Sequence, residues 1–353
     1  MSERVLVMGG TGYVGSRLVP RLAEESPALR VLVRDPERAQ RFGWGSRVEV
    51  VTGDVLDATS VKAALTDVTV LVYLVHGMDG DDFAATDGQA AEVVGEAAAA
   101  HGVRRIVFLS GLVPDIEESG LSEHLASRLE VERILASHVP TVSIRAAVVL
   151  GSGSTSFEVI RQLAERLPVH AVPDWMNSAV QPVAVTDVVD AMAAAVAGAG
   201  EPRAYDLGGP DRLSYPDLLR TYCAVAGLAR SQVPLPVVPT GVVAELAARF
   251  TDVSTNTVRS LVESLRHDMV CRDDDAVRDL LAGREPLELE VALHRALAEP
   301  DDPVPDSERD LLGPMSFDPV WASGGRERGS RTAAALADAR DRVAETARSM
   351  IDG

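Results

Sequence analysis

The sequence predicts an α/β protein built around a parallel sheet, and three observations carry that expectation. From Arg4 to about Val149, short β-rich runs alternate with stretches of helical spacing, which is the pattern of successive βαβ units covered on both faces. The first run leads directly into a glycine-punctuated turn and then a helix, in VLVMGGTGYVGSRLV. With 353 residues, of which 46% are hydrophobic, the chain can fill a substantial core in one large or two moderate domains.

Taken in order, the strands are RVLVM, LRVLV, VEVV, TVLVYLV, RRIVFLS and VSIRAAVVL. The helix between the fourth and fifth, around FAATDGQAAEVVGEAAAAHGV, is alanine-rich with apolar positions recurring at three and four, and Gly102 supplies its stop. After Leu150 the regularity weakens. GSGSTS reads as a loop and FEVIRQLAERLP as a helix, while VQPVAVTDVVDAMAAAVAG reads as a strand entering a helix capped by Thr186 or Asp187. RAYDLGGPDRLSYPDLLRTYCAVAG reads as strand, turn and helix, with Ser214 as the cap. From about Pro300 the breaker-rich, charged stretches EPDDPVPDSERD and ASGGRERGSRT predict a linker, followed by a loosely attached helix, AAALADARDRVAETARSMI. The expected organisation is a sheet domain over 1–150, rejoined by the strand and helix near 180–200, a smaller interleaved substrate-facing part over 151–300, and a tail over 301–353.

A net charge of −19 works against binding nucleic acid or anionic membranes, because both depend on clustered positive charge. The start, MSERVLVMGGTGYVG, lacks the pattern of a signal peptide, and no apolar run approaches the ~20 residues of a membrane helix, so the expectation is a cytoplasmic protein. Cys223, in a helical context, and Cys271, in a strand-like one, form no metal spacing and read as small buried thiols. Lys62 is the only lysine, so lysine chemistry must use it or be absent.

Gly9, Gly12 and Gly15 stand at Gly-x-x-Gly-x-x-Gly spacing between first strand and first helix. Small residues there permit a tight turn and close backbone approach, while the helix N-terminus offers free N–H groups to a pyrophosphate. This context points to a Rossmann-type, doubly wound dinucleotide fold. Thr11, Tyr13 and Val14 in the same loop, Val55 after the third strand and Val75 after the fourth complete the expected cofactor-facing set. The second strand ends in VLVRDPER, where Arg34 would pair with the 2′-phosphate of NADP and Asp35 would accept the 2′-hydroxyl of NAD. Arg34 comes first and Arg38 adds charge, so NADP(H) is favoured over NAD(H). Asp54, in GDVLD, has two open readings: a neighbour of the adenine amino group, or turn chemistry.

These residues, with VYLVHGM, RRIVFLSGLVPD, SEHLASRLEVERIL and GGPDRLSY, resemble the atypical, extended short-chain dehydrogenase/reductase superfamily, in its NAD(P)H-binding branch that includes NmrA-like and YbjT-like proteins. The resemblance covers roughly Arg4 to Gly227 and continues more loosely to about Ala298. Enzymes of that superfamily pair a serine with Tyr-x-x-x-Lys on the helix after the fifth strand, the tyrosine exchanging a proton with the substrate oxygen. The resemblance makes Ser110 that serine, but the helix carries His124-x-x-x-Arg128 where Tyr-x-x-x-Lys would stand.

Three readings of the pair are open. His124 donates the proton while Arg128 anchors the cofactor ribose or a substrate anion, although the guanidinium disfavours imidazolium. Alternatively, the pocket binds NADPH without turnover and reports cofactor state to a protein partner, as the resemblance to NmrA-like proteins implies. Or the helix is an ordinary charged face with Arg128 paired to Glu132. His76, after the fourth strand, either faces the nicotinamide and its substrate or is a satisfied histidine at a strand end. The expected function is therefore an NADPH-dependent reductase of a small, largely apolar carbonyl compound, with a non-catalytic redox sensor as the alternative. A closed, substrate-sized pocket lined by His76, Ser110, His124 and Arg128 would separate them, and VPDWMNSAVQP, with Trp175 and Met176, is a candidate lid or wall.

Overall fold

The computed structural model describes residues 4–26, 28–77, 83–235, 238–298 and 304–322. Its strands are β1 (Val5–Met8), β2 (Leu29–Val33), β3 (Val48–Thr52), β4 (Val70–Tyr73), β5 (Arg105–Gly111), β6 (Thr141–Ala146), β7 (Val149–Leu150), β8 (Val169–Pro173), β9 (Ala179–Val180), β10 (Val183–Ala184), β11 (Ala204–Leu207), β12 (Leu213–Ser214) and β13 (Ser231–Leu235). The helices are α1 (Tyr13–Glu25), α2 (Pro36–Gln40), α3 (Ala58–Ala64), α4 (Phe83–Ala100), α5 (Glu123–His138), α6 (Thr155–Arg166), α7 (Val185–Val196), α8 (Tyr215–Val225), α9 (Thr240–Arg249), α10 (Thr255–Ser264), α11 (Asp275–Asp279) and α12 (Leu289–Leu297).

The central sheet has seven strands in the order β11-β6-β5-β4-β1-β2-β3, and every pairing in it is parallel. Val5 is in register with Leu29 on one side and Val70 on the other, so the order reverses at β1 and leaves a crevice at the carboxyl ends of β1 and β4. Alternate β1 residues feed opposite cores: Val5 and Val7 pack with α1 and α7, Leu6 and Met8 with α3, α4 and α5. That two-sided burial is why the strands read as continuous apolar runs. It is a Rossmann-type α/β fold.

The smaller part adds three two-stranded pairs, β7 with β10, β9 with β12 and β8 with β13, and a separate apolar cluster joins α6, α9 and α10. Gly102 does stop α4, with φ +73, and Ser214 caps α8 by accepting the Asp217 N–H at 3.3 Å.

Four expectations need correction. β11, expected to open the substrate-facing part, is an edge strand of the central sheet, paired with β6 from Ala204↔Ser143 to Leu207↔Ala146. Neither Thr186 nor Asp187 caps α7: the helix begins at Val185 after Ala184, and the Asp187 carboxylate accepts instead from Arg284 and the Leu287 N–H, both at 2.9 Å. Cys271 is buried but lies outside any strand, next to the Val180↔Met269 bridge. The described stretch 304–322 is packed rather than a loose linker, because Leu312, Met315 and Phe317 are buried and Asp318 pairs with Arg17. The expected tail helix lies outside the described residues.

Candidate active site

The site is assembled at the switch point from the loop after β1, the end of β4, the end of β5 and the first turn of α5. α1 starts at Tyr13 with Gly12 as its N-cap and no side chain closing its first N–H groups, which leaves them available to an anion. Gly9 has φ +88, and a Cβ there would lie 2.7 Å from the Leu74 carbonyl; only glycine makes that turn without strain. A Cβ on Gly15 would overlap the Gly9 carbonyl oxygen, whereas one on Gly12 would meet a single atom, that same oxygen, at 3.3 Å. Gly9 and Gly15 thus hold the loop against the helix while Gly12 keeps the cradle open.

A cleft of about 330 Å³ runs from this loop past His76, Ser110, His124 and Arg128. Ser110 is the sixth residue of β5, opposite Arg145 of β6. Ser122 caps α5 by accepting the Leu125 N–H at 3.4 Å, so His124 falls in the first helical turn and Arg128 one turn on. The SEHLASR segment therefore presents both side chains to the cleft. Ser110 is 4% exposed and Arg128 6%, yet Ser110 Oγ and Arg128 Nη1 have no hydrogen-bond partner. Buried polar atoms are normally paired, and these two belong to residues lining the cleft, where a ligand or water would supply the partner. The serine hydroxyl, the guanidinium and the open glycine cradle fit a dinucleotide.

Electrostatics sharpen the picture. The Arg128 guanidinium lies over the Phe108 ring at 4.6 Å, and burial lowers its pKa to about 10 against the raising charges of Asp87, Tyr73 and Glu132. It remains a cation at neutral pH. Glu132 gives its carboxylate to Arg145, at 3.0 Å from Nε, so the third open reading, a charged helix face with Arg128 paired to Glu132, does not describe this helix. The His76 and His124 rings meet edge to face, 6.2 Å apart at 70°. Burial, then the Arg128 charge, brings His124 down to about 4. Burial, then Arg128 and His124, brings His76 to about 3. The His76 ring opens onto the cleft, so cleft water offsets part of that burial until a ligand displaces it. Both imidazoles are neutral at pH 7.

The remaining expected residues divide. Gly9, Gly12, Tyr13, Val14 and Gly15 line the cleft, whereas Thr11, Val55 and Val75 do not. Val55 and Val75 pack against the α3–α4–α5 core. The Tyr13 hydroxyl turns away toward Gly151, under the Arg17 guanidinium, 4.1 Å from the ring centre. Arg34 is exposed just past β2, and Asp35 caps α2 by accepting from the Glu37 and Arg38 N–H groups at 3.0 and 3.1 Å. Asp54 accepts the Leu56 N–H at 2.9 Å, an Asx turn. Met176 forms part of the cleft wall, while Trp175 packs beside it and donates to the Val238 carbonyl at 2.9 Å. Lys62 is exposed on α3, away from the cleft.

Sequence reasoning missed Asp87, which is 5% exposed and accepts the Gly77 N–H at 2.8 Å, fixing the loop that carries His76. A signal was present: Asp87 is an acid on the apolar stripe that continues through Ala91, Val94 and Ala98. Among the described residues no group of three or more His, Cys, Asp or Glu is arranged to hold a metal ion, and no helix is long and apolar enough to cross a membrane.

Fold and cleft together define a dinucleotide-binding protein of the Rossmann class. Residues 9–139 match the family described as NAD(P)H-binding. The chain is 33% identical over 220 residues to a (4-alkanoyl-5-oxo-2,5-dihydrofuran-3-yl)methyl phosphate reductase of Streptomyces griseus, spanning 60% of this chain and 69% of that protein. The chain belongs to the NAD(P)H-binding family. A ceramide reductase of Caulobacter vibrioides is 32% identical over 198 residues, 55% of this chain and 60% of its own length, so the match leaves more than a third of that relative uncovered. The fold is shared with the triphenylmethane reductase of Citrobacter sp. in complex with NADP(H), at a TM-score of 0.67 and 19% identity over 83% of this chain and all of that one.

Proposed function

We propose that this protein is an NADPH-dependent reductase of a carbonyl-type, largely apolar substrate, using His124-x-x-x-Arg128 in place of Tyr-x-x-x-Lys. The observation that carries the reading is the pair of buried, unpartnered groups, Ser110 Oγ and Arg128 Nη1, in the wall of the cleft onto which the glycine loop opens. The names of the two curated relatives, both reductases, support it. A sensor needs no substrate chamber, and the continuation of the cleft beyond the polar ring favours turnover.

The N–H groups at the start of α1 bind the pyrophosphate. Arg34 faces the 2′-phosphate, since Asp35 is engaged in capping α2. When bound, the nicotinamide supplies a hydride to the carbonyl carbon. Arg128 holds the ribose hydroxyls or a substrate anion with its open Nη1. Ser110 and His124 donate hydrogen bonds to the carbonyl oxygen, where negative charge develops. Because the His124 imidazole is neutral, it acts through its N–H, as an electrophile that stabilises the alkoxide left by hydride addition; the alkoxide takes its proton from water at the cleft mouth, leaving hydroxide to the solvent. His76, edge-on to His124, keeps that ring in place.

The test is a fluorescence titration with NADPH and NADH, followed by NADPH absorbance decay against aldehydes, ketones and quinones, with His124→Ala and Arg128→Ala in parallel. The reading expects tighter binding of NADPH than NADH and decay that drops at least a hundredfold in His124→Ala while NADPH still binds. Tight NADPH binding without decay on any of the panel would move the reading to the redox sensor. Failure to bind either nucleotide would sink both.

A further inference from the structure

The cleft does not end at the polar ring. Past Ser110 and His124 it continues into a chamber walled by Leu163 of α6, Leu218 of α8, Val243 of α9, Leu261 and Val262 of α10, and Met269. These side chains come from four helices and the segment after α10, and none carries a hydrogen-bonding group stronger than a thioether. The hydroxyl of Ser264 at its edge is already engaged, donating to the Ser260 carbonyl at 3.0 Å and lying 3.2 Å from Ser122 Oγ. A polar tail entering this space would lose its water for few replacement partners. Methylene groups would gain from leaving water at every step. Ser154, Thr155, Ser156 and Tyr215 also line the cleft, but the apolar side chains outnumber them, so the cavity offers donors at the reacting end and mostly hydrocarbon beyond.

We propose that the chamber holds an alkyl or acyl chain attached to the carbonyl group reduced at the polar ring, so that the substrates are alkyl aldehydes or ketones rather than compact polar carbonyls. This rests on the reductase reading for the reaction, but the binding of the chain itself does not. Leu163, Val243 and Leu261 are half-buried, and their side chains set how much chain the chamber accepts.

Two series measured on the full-length protein separate the two ideas. In the first, 1-alkanols from butanol to decanol are titrated calorimetrically; in the second, the matching n-alkanals are assayed for NADPH oxidation. Affinity and kcat/KM are expected to rise about threefold to fourfold per methylene until the chamber is full, with heat capacity falling on binding. Leu261→Trp is expected to end the rise at a shorter chain, with Val243→Phe as the second variant if thermal melting shows Leu261→Trp to be unfolded. Alkanol affinities independent of chain length, or a rise that both folded variants leave unchanged, would overturn the chamber even if NADPH were oxidised. A length-dependent affinity that the variants cut short, with no alkanal reduced, would uphold the chamber and overturn the reductase reading.

Discussion

His124 and Arg128 show how one residue sets the chemistry of another. Burial, then the Arg128 charge, keeps the His124 imidazole neutral, so neither cleft histidine titrates near pH 6.5 and kcat/KM is expected to be flat from pH 6 to 8. A pH profile with a fall above 6.5 would instead demand an imidazolium acid. The same depression has a cost in stability. Above pH 6.5 the ring is neutral whether the chain is folded or not; between 6.5 and about 4 the unfolded chain binds a proton that the folded one refuses, so stability falls as the pH falls. With cleft water screening part of the effect, the loss at the acid end of that window is on the order of 2 kcal/mol. Urea midpoints from pH 7 to 4.5 should drop less steeply in His124→Asn than in the wild type. Gly15 belongs to this scale as well: the overlap a Cβ would make with the Gly9 carbonyl predicts that Gly15→Ala weakens NADPH binding at least tenfold, since the loop must open to admit it. Fluorescence titration reads this directly.

At the scale of elements, the segment after α12 is the surprise. Arg17 of α1 is 1% exposed and donates to the carbonyls of Leu311 and Ser152, both at 2.9 Å, and to both oxygens of Asp318 at 3.1 and 2.9 Å. Farther along, the Ala322 carbonyl accepts from Arg161 at 2.9 Å and the Trp321 carbonyl from Gln162 at 3.0 Å. The strap thus ties the helix of the glycine loop to α6, which walls the substrate end of the cleft. Asp318→Ala leaves a buried cation without its carboxylate and is expected to cost about 3–5 kcal/mol. Replacing both partners by apolar residues, Arg17→Met with Asp318→Leu, should recover much of that loss, because no charge is left buried. Chemical denaturation of Arg17→Met, Asp318→Leu and the double variant gives the coupling. An additive cycle would show that the pair does not hold the strap.

For the whole molecule, ligand binding and folding are linked. If the cradle takes NADPH, the nucleotide at a hundredfold its Kd raises stability by about 2.7 kcal/mol, and NADH at the same concentration raises it less. Melting temperatures with the two nucleotides check this, and equal shifts would remove Arg34 as the discriminator. The sheet that carries the cradle was legible because its strands are buried on both faces and so read as unbroken apolar runs. β11 was read as a strand but not as part of this sheet: its four residues include Asp206, and only the β6 edge beside it shows where it pairs. The packed strap read as a linker because its proline and charge dominate composition, while three apolar residues and one carboxylate with a partner 301 positions away decide its fate.

By itself the sequence determined the α/β class and the glycine loop between first strand and first helix, because each depends on neighbours within one turn or one strand; it offered His76, Ser110, His124 and Arg128 only as candidates. Only the tertiary structure decided that His76, Ser110, His124 and Arg128 share one cleft with an apolar far end. It likewise decided that both histidines are neutral, that Asp87 supports one of them, and that Glu132 belongs to Arg145. The physical reason is that charge state, desolvation and partner choice are properties of the space around a side chain, and that space is filled by segments far away in sequence.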